Sequence, residues 1–171
     1  MQVSMFGFQC EMPKTEPSLK QPAIFLSTLG GIGYLPKAPG TWASLVTLAP
    51  VFLIQSYSGF FGLIVFCSLI FIVGIWASTH HEKLTKSHDS KHCVIDECLG
   101  QSLVLLFTPN DLLFYLLAFV YFRFFDIIKP WPTNWFDQNV KGGLGVMIDD
   151  VVAGAQAIIV IVLTHKFLDM F

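Results

Sequence analysis

Long stretches of apolar residues, separated by short polar segments, run through most of the chain. Residues 38–81 contain no Asp, Glu, Lys or Arg. One helical membrane span takes about 20 residues, so this stretch is long enough to cross a bilayer twice. The turn-forming segment 55–59, Gln-Ser-Tyr-Ser-Gly, divides it. The pattern therefore predicts a helical hairpin, with a short first segment at 41–54 that Pro50 bends and a full-length second segment at 60–78.

The second half of the chain shows the same alternation on a shorter scale. Its composition predicts a polar loop at residues 80–93 and a Pro/Gly-rich polar connection at residues 123–146. Between them, apolar runs at 98–107 and 112–122 flank a Thr-Pro-Asn-Asp turn. These two runs form either one kinked span of about 25 residues or a hairpin of two shallow segments. A last apolar segment follows at 151–163.

The placement of basic residues favours the hairpin. If residues 98–122 form a hairpin, nine of the ten Lys and Arg residues lie on one face of the membrane and only Lys166 lies on the other. A single span at 98–122 would move three of the nine across. Because Lys and Arg accumulate on the cytoplasmic side of membrane proteins, we predict the hairpin, with that face cytoplasmic. Several segments are then shorter than a full span and require tilt or partial insertion.

Composition favours a membrane protein over a soluble domain. Hydrophobic residues make up 54% of the 171 residues and charged residues only 13%, against about 25% in soluble domains. The net charge of −2 provides no basic field for nucleic acid. We predict an all-α fold, a small multi-pass helical membrane protein with short or re-entrant segments and a one-sided polar active site. Residues 1–22 are predicted to form a polar tail, and residues 23–171 a single membrane-embedded domain.

Carboxylates stand beside the apolar segments, where they are costly unless they have a function. Two acidic pairs directly precede apolar runs and a fifth acid follows one; these residues are Asp96, Glu97, Asp149, Asp150 and Asp126. Each pair on its own could cap the N-terminus of a helix. Five clustered carboxylates, however, would repel one another strongly without a cation. Because Mg²⁺ prefers oxygen ligands, the joint pattern predicts a divalent metal site.

Groups that suit an anion accompany the acids. The segment 31–41, Gly-Ile-Gly-Tyr-Leu-Pro-Lys-Ala-Pro-Gly-Thr, could hold a phosphate through its backbone N–H groups and Lys37. An ordinary loop capped by Thr41 is equally compatible with that segment. Arg123, the only arginine, and Lys129 stand six positions apart at the end of an apolar run. They suit either an anion site or an anchor to lipid headgroups.

Several classes of phosphatase are excluded by missing motifs. The chain has no Cys-x5-Arg motif and no Asp-x-Asp motif, and its single arginine excludes the histidine-nucleophile lipid phosphatases, which need two. Metal-assisted attack by water is the phosphate chemistry that remains.

Three segments carry a resemblance to a known family: GIGYLPKAPGTWASL, VIDECLGQ, and RFFDIIKPWP with GGLGVMIDDVVAG. In this order and spacing, from about residue 31 to residue 154, they resemble the phosphatidylglycerophosphatase A family. The resemblance implies an all-α, Mg²⁺-dependent, multi-pass phosphatase of the bacterial inner membrane, with its active site facing the cytoplasm. It also implies hydrolysis of phosphatidylglycerophosphate to phosphatidylglycerol and inorganic phosphate, the last step of phosphatidylglycerol synthesis. One departure is Ala43, where the family often has Gly.

The resemblance further implies roles for nine polar residues. The implied metal ligands are Asp96, Glu97, Asp149 and Asp150. The implied catalytic residues are Asp126 and Asp150. The residues implied to bind the substrate phosphate are Lys37, Thr41, Arg123 and Lys129. Asp126 is either a further metal ligand or the base that orients water. The expected partners are the lipid substrate and the membrane, and nothing in the sequence indicates nucleic acid or a protein partner. A membrane cation transporter or channel is the alternative, and it predicts acids that face each other across the bilayer.

Overall fold

The computed structural model describes residues 18–86 and 90–170. Six α-helices and one short 3₁₀ helix make up this part of the chain, and no strand occurs in it. The helices are α1 Pro22–Ser27, the 3₁₀ helix Ile32–Tyr34, α2 Pro39–Thr85, α3 Ile95–Leu106, α4 Leu112–Ile128, α5 Thr133–Asn139 and α6 Gly142–Leu168. The all-α prediction is therefore confirmed. Most of the predicted tail, residues 1–17, lies outside the described residues.

Helix α2 reverses direction at Gly59. This residue has φ 62° and ψ −158°, a conformation essentially restricted to glycine. Just before it, the Gln55 side chain donates a hydrogen bond to the backbone carbonyl of Thr108 at 3.3 Å. Just after it, the ring of Phe60 packs against Phe107. Both flanks of Gly59 therefore contact the C-terminal end of α3.

The outer ends of the two halves of α2 meet at the other end of α3. Gly40, at the start of α2, packs directly against the side chain of Glu97. Ser78, near the end of α2, has its hydroxyl 3.2 Å from the sulfur of Cys93, two residues before α3 begins. The two halves thus run antiparallel along α3. This confirms the helical hairpin that the polar turn in the apolar stretch predicted.

Helices α3 and α4 form a second hairpin. Gly100 of α3 packs against the ring of Phe122 of α4, and no space is left there for a Cβ atom. One turn earlier on α3, Glu97 lies 3.9 Å from the guanidinium of Arg123. The two apolar runs therefore fold back on each other. The single kinked span at 98–122 is excluded, and the predicted hairpin is confirmed.

Two predicted boundaries are wrong because polar turns extend the helices beyond their apolar segments. Helix α2 continues to Thr85, so the first residues of the predicted polar loop are helical. Helix α4 continues to Ile128, which places Arg123 and Asp126 on its last turns instead of in an irregular connection. Helix α5 occupies part of the remaining connection.

Helix α6 begins at Gly142, earlier than the apolar pattern predicts. Its glycine-rich start packs closely against α2, and this packing supports the helix there. Gly143 lies against the backbone of α2 near Ile75 and Thr79. Asp149 and Asp150 therefore lie about two turns inside the helix. The interpretation of this pair as an N-terminal cap is wrong.

Helices α3 and α6 cross in close contact at two glycines. A Cβ atom on Gly154 would lie only 3.1 Å from the backbone oxygen of Gly100. Side chains at this crossing are small, so the two backbones approach each other closely. The crossing brings Asp150, one turn before Gly154, close to the acids in the first turn of α3.

One face of α2 is exposed and apolar. Phe61, Val65, Leu69 and Ile72, spaced by three or four residues, are each more than half exposed. By length and composition, α2 and α6 are apolar enough to cross a membrane. A continuous apolar face of this kind is typical of a membrane or protein contact surface. These helices support association with a membrane.

Candidate active site

A cavity of about 430 Å³ lies at one end of the bundle, where α2, α3 and α6 begin and α4 ends. We call it the acidic cavity. It is lined by Ala38, Pro39, Gly40, Ser90, Lys91, Cys93, Asp96, Glu97, Arg123, Asp126, Lys129, Asp137, Val140, Gly142, Gly145, Val146, Asp149 and Asp150. Six of these residues are acids and three are cations. All five acids that the sequence singled out are therefore brought together, from three different helices.

Three of the acids form a tight cluster. Asp96 and Glu97, in the first turn of α3, and Asp150 of α6 each offer one oxygen, and these atoms lie within 4.8 Å of one another. Asp96 Oδ1, Glu97 Oε2 and Asp150 Oδ2 are buried and have no hydrogen-bond partner in the described part of the chain. Buried carboxylate oxygens without partners are costly. This all-oxygen donor set is of the kind that Mg²⁺ prefers.

The surroundings of α3 make its two acids hard to ionise without a cation. Burial, and after it the neighbouring Glu97 carboxylate, raises the pKa of Asp96 well above its ordinary value. Burial also raises the pKa of Glu97, although Arg123 acts in the opposite direction. A positive charge supplied at the cluster would lower both pKa values again.

Arg123 lies between two of the acids. Its guanidinium is 2.5 Å from Asp126 Oδ2, one turn along α4, and 3.9 Å from Glu97 Oε1. It also donates a hydrogen bond to the hydroxyl of Ser44 at 3.4 Å. The Arg123 side chain is only 13% exposed, so the guanidinium acts inside the site and is not a headgroup anchor at the surface.

Lys129 lies opposite Asp149. Its ammonium is 2.7 Å from Asp149 Oδ2 and 2.5 Å from Asp137 Oδ1. Burial alone would lower the pKa of Lys129, but the two carboxylates outweigh burial and raise this pKa above its ordinary value. Lys129 therefore carries its positive charge into the acidic cavity. The structure does not include Asp149 in the three-acid cluster, and its role as a metal ligand stays a prediction.

The start of α2 and the residue before it line the acidic cavity with small, uncharged residues instead of the predicted polar side chains. Ala38, Pro39 and Gly40 line the acidic cavity, whereas Lys37 is exposed and Thr41 is not among the lining residues. A Cβ atom at Gly40 would collide with the Glu97 carboxylate, so glycine at this position lets the carboxylate keep its place. The phosphate-binding roles of Lys37 and Thr41 stay predictions.

Sequence reasoning did not assign Lys91 and Asp137 to the site. Lys91 lines the acidic cavity from the loop before α3, and Asp137 reaches it from α5. The acids of the site are recognisable in the sequence because they stand beside apolar runs. Lys91 and Asp137 do not stand beside such a run. Only the position of α5, packed on α6, reveals Asp137 as a partner of Lys129.

The fold and the acidic cavity define a small all-helical protein, apolar enough for a membrane, with a carboxylate-rich site at one end of its bundle. Residues 25–165 match the family model described as phosphatidylglycerophosphatase A. The chain therefore belongs to the phosphatidylglycerophosphatase A family, and it is an enzyme of the phosphatase class.

Named relatives agree with the family. The chain is 36% identical over 150 residues to phosphatidylglycerophosphatase A of Haemophilus influenzae, covering 87% of this chain and 92% of the relative. It is 34% identical over 147 residues to the protein of the same name from Escherichia coli, covering 84% of each. A Bacteroides thetaiotaomicron protein, provisionally named a phosphatidylinositol-3-phosphatase, is 35% identical over 153 residues, covering 84% of this chain and 95% of the relative. No solved structure matches the chain.

Proposed function

We propose that this enzyme hydrolyses phosphatidylglycerophosphate to phosphatidylglycerol and inorganic phosphate, with Mg²⁺ as cofactor. The observation that carries the proposal is the three-acid cluster beside the partly buried cations Arg123 and Lys129. Each acid of the cluster has a buried carboxylate oxygen without a hydrogen-bond partner in the described residues. The names of the Haemophilus and Escherichia relatives support the choice of substrate. The relevant chemistry is attack of water on a phosphomonoester, with loss of the lipid alcohol.

Asp96, Glu97 and Asp150 would hold the cation. When bound there, Mg²⁺ would neutralise charge on the phosphoryl group and favour ionisation of an attacking water. The chain itself supplies positioning. Arg123 and Lys129 would exchange part of their carboxylate contacts for phosphate oxygens, which accept charge-assisted hydrogen bonds from the same donors.

Asp126 is suited to orient the attacking water. Arg123 holds one oxygen of its carboxylate at 2.5 Å, and this carboxylate can accept a proton from water beside the cluster. The new bond joins the water oxygen to phosphorus, and the bond from phosphorus to the glycerol oxygen breaks. The leaving alkoxide takes up the proton that Asp126 accepted from water, and inorganic phosphate remains with Arg123 and Lys129 until it is released.

The proposed location is the cytoplasmic side of the bacterial inner membrane. The acidic cavity lies at the end of the bundle where the last turn of α2 carries Lys83 and Lys86 follows the helix. Lys166 lies at the opposite end of α6. This asymmetry supports a cytoplasmic orientation through the positive-inside rule. The named relatives are bacterial proteins, which agrees with this location.

The transporter alternative is not favoured. It predicts acids facing each other across the bilayer, whereas the acids of α3, α4 and α6 line one cavity at one end of the bundle. Asp111, at the far end, serves instead as the N-cap of α4 by accepting hydrogen bonds from two backbone N–H groups.

The test is phosphate release by the purified full-length protein in detergent, with Mg²⁺ or with excess EDTA. We expect release from phosphatidylglycerophosphate that requires Mg²⁺ and, at the Mg²⁺ concentration that saturates the wild-type protein, is strongly reduced by Asp150→Asn in protein that still folds. The name of the Bacteroides relative makes phosphatidylinositol 3-phosphate the competing substrate. A higher kcat/KM for that lipid would replace the proposed substrate, and EDTA-resistant release would remove the proposed metal.

A further inference from the structure

A second, smaller cavity lies on the apolar flank of the bundle. It has a volume of about 240 Å³, is open on its outer side and lies between the second half of α2, α3 and α6. We call it the apolar groove. Its lining residues are Cys67, Ser68, Phe71, Leu99, Leu103 and Val151. Ser68 is the only hydroxyl among them, and none carries a charge.

The apolar groove lies next to the acidic cavity along α3 and α6. On α3, Asp96 precedes Leu99 by three residues and Leu103 by seven, so the three side chains share one face of the helix. On α6, Val151 directly follows Asp150. At 1.5 Å per residue, the groove therefore lies about 5–10 Å farther along α3 than the acid cluster. A molecule with a charged end and an apolar end can contact both.

We propose that the apolar groove holds the first methylene groups of one acyl chain of the lipid substrate while its phosphorylated headgroup occupies the acidic cavity. The proposal rests on the proposed function. The membrane interior is as apolar as the groove, so an acyl chain that moves from the membrane into the groove gains little hydrophobic free energy. The groove instead orients the lipid, holding the phosphomonoester at a fixed depth relative to the carboxylates.

Ser68 allows the groove to be blocked without removing a buried side chain. It is exposed at the rim, and its hydroxyl bonds only within its own helix, to the Ile64 carbonyl. Ser68→Trp places an indole ring across the groove. Leu69, the next residue, is 57% exposed and belongs to the outer apolar face instead of the groove lining. Leu69→Trp is therefore the matched control.

The first measurement compares kcat/KM for phosphatidylglycerophosphate and for its deacylated form, which has the same headgroup without acyl chains. For Ser68→Trp we expect the ratio of the two values, lipid over deacylated, to fall about tenfold. For Leu69→Trp we expect the ratio of the wild-type protein. An unchanged ratio in Ser68→Trp, or an equal fall in both variants, overturns the proposal.

The second measurement uses phosphatidylglycerophosphate with a photoreactive diazirine on one acyl chain. We expect crosslinks to peptides containing Phe71 or Leu103, reduced by unlabelled substrate and by Ser68→Trp. Crosslinks that are confined to the outer face around Val65 overturn the proposal. If the wild-type protein releases phosphate from neither substrate, the proposed function fails, and the crosslinks still decide whether lipid occupies the groove.

Discussion

The ammonium of Lys129 lies 2.7 Å from Asp149 Oδ2, and this contact separates the roles of two adjacent aspartates. Asp149 neutralises a cation of the acidic cavity, whereas Asp150 belongs to the three-acid cluster. Successive residues of a helix point about 100° apart, so neighbours in the sequence face different groups.

The first prediction follows from this separation. We expect Asp150→Asn to raise the Mg²⁺ concentration for half-maximal activity at least tenfold, because it removes one negative charge from the three-acid cluster. Asp149→Asn should change that concentration by less than about threefold and act mainly on KM, because it frees Lys129. Titration of activity with Mg²⁺ measures both effects. Equal shifts in the two variants would restore Asp149 as a metal ligand.

The second prediction concerns pH. A carboxyl whose pKa is raised by folding binds its proton more tightly in the folded protein. The stability that Asp96 contributes is therefore present below its ordinary value of 3.8 and is lost as the pH rises through the raised value. In EDTA we therefore expect the unfolding temperature to fall as the pH rises above the ordinary carboxyl pKa of 3.8.

Mg²⁺ should reverse this trend, because it binds the deprotonated carboxylates. We expect the rise in unfolding temperature on adding Mg²⁺ to grow with pH, as measured by thermal unfolding in detergent. Asp96→Asn is the control, and it should weaken both the fall in EDTA and the Mg²⁺ effect. A rise on adding Mg²⁺ that does not change with pH would contradict the prediction.

The third prediction concerns Gly40. A Cβ atom there collides with the Glu97 carboxylate, so Gly40→Ala should displace Glu97 and lower kcat/KM about tenfold or more. Ala43→Gly, on the same turn of α2, is the control because it weakens the helix by about 1 kcal/mol and adds no atom that could collide with Glu97. We expect this control to unfold at a lower temperature and to keep its Mg²⁺ requirement. Wild-type kinetics in Gly40→Ala would exclude a role for this contact.

The fourth prediction concerns Arg123. Arg123→Ala leaves Asp126 and Glu97 buried without their cation and should lower the free energy of unfolding by about 3 kcal/mol. Arg123→Lys keeps the charge but loses the planar fork, so it should retain more stability while kcat/KM falls about tenfold. Unfolding in SDS–detergent mixtures and phosphate release measure the two effects.

Lys166→Ala is the control for Arg123, because Lys166 is exposed at the far end of α6. Its free energy of unfolding should change by no more than about 0.5 kcal/mol. If Arg123→Ala is as stable as this control, the ion pair with Asp126 contributes nothing to the fold.

The hairpins were predictable from the sequence because their signals are local. Turn-forming residues interrupt apolar stretches at Gly59 and before Asp111, and the basic residues select the hairpin over a single span. The extra turns at the end of α4 and the start of α6 were not predictable in this way. They are polar or glycine-rich and become helical through packing, as Gly143 does against α2.

The site was predictable as a set of acids but not as an arrangement. Sequence position cannot decide which of Asp149 and Asp150 faces Glu97, since that depends on the rotation of α6 about its axis. Lys129 has φ 46°, a left-handed conformation that sequence does not reveal for a lysine, and it directs the chain toward α5. The partnership of Lys129 with Asp137 depends on that change of direction.

The two turns opposite the acidic cavity are tied together. Asn110 donates a hydrogen bond to the Ser56 hydroxyl at 3.0 Å, and Gln55 donates one to the Thr108 carbonyl. In this part of the described chain, no loop is long enough to enter a protease cleft. In sealed vesicles, cleavage between helices should therefore occur only at the cavity end, and limited proteolysis becomes a one-sided reporter of how the protein is inserted.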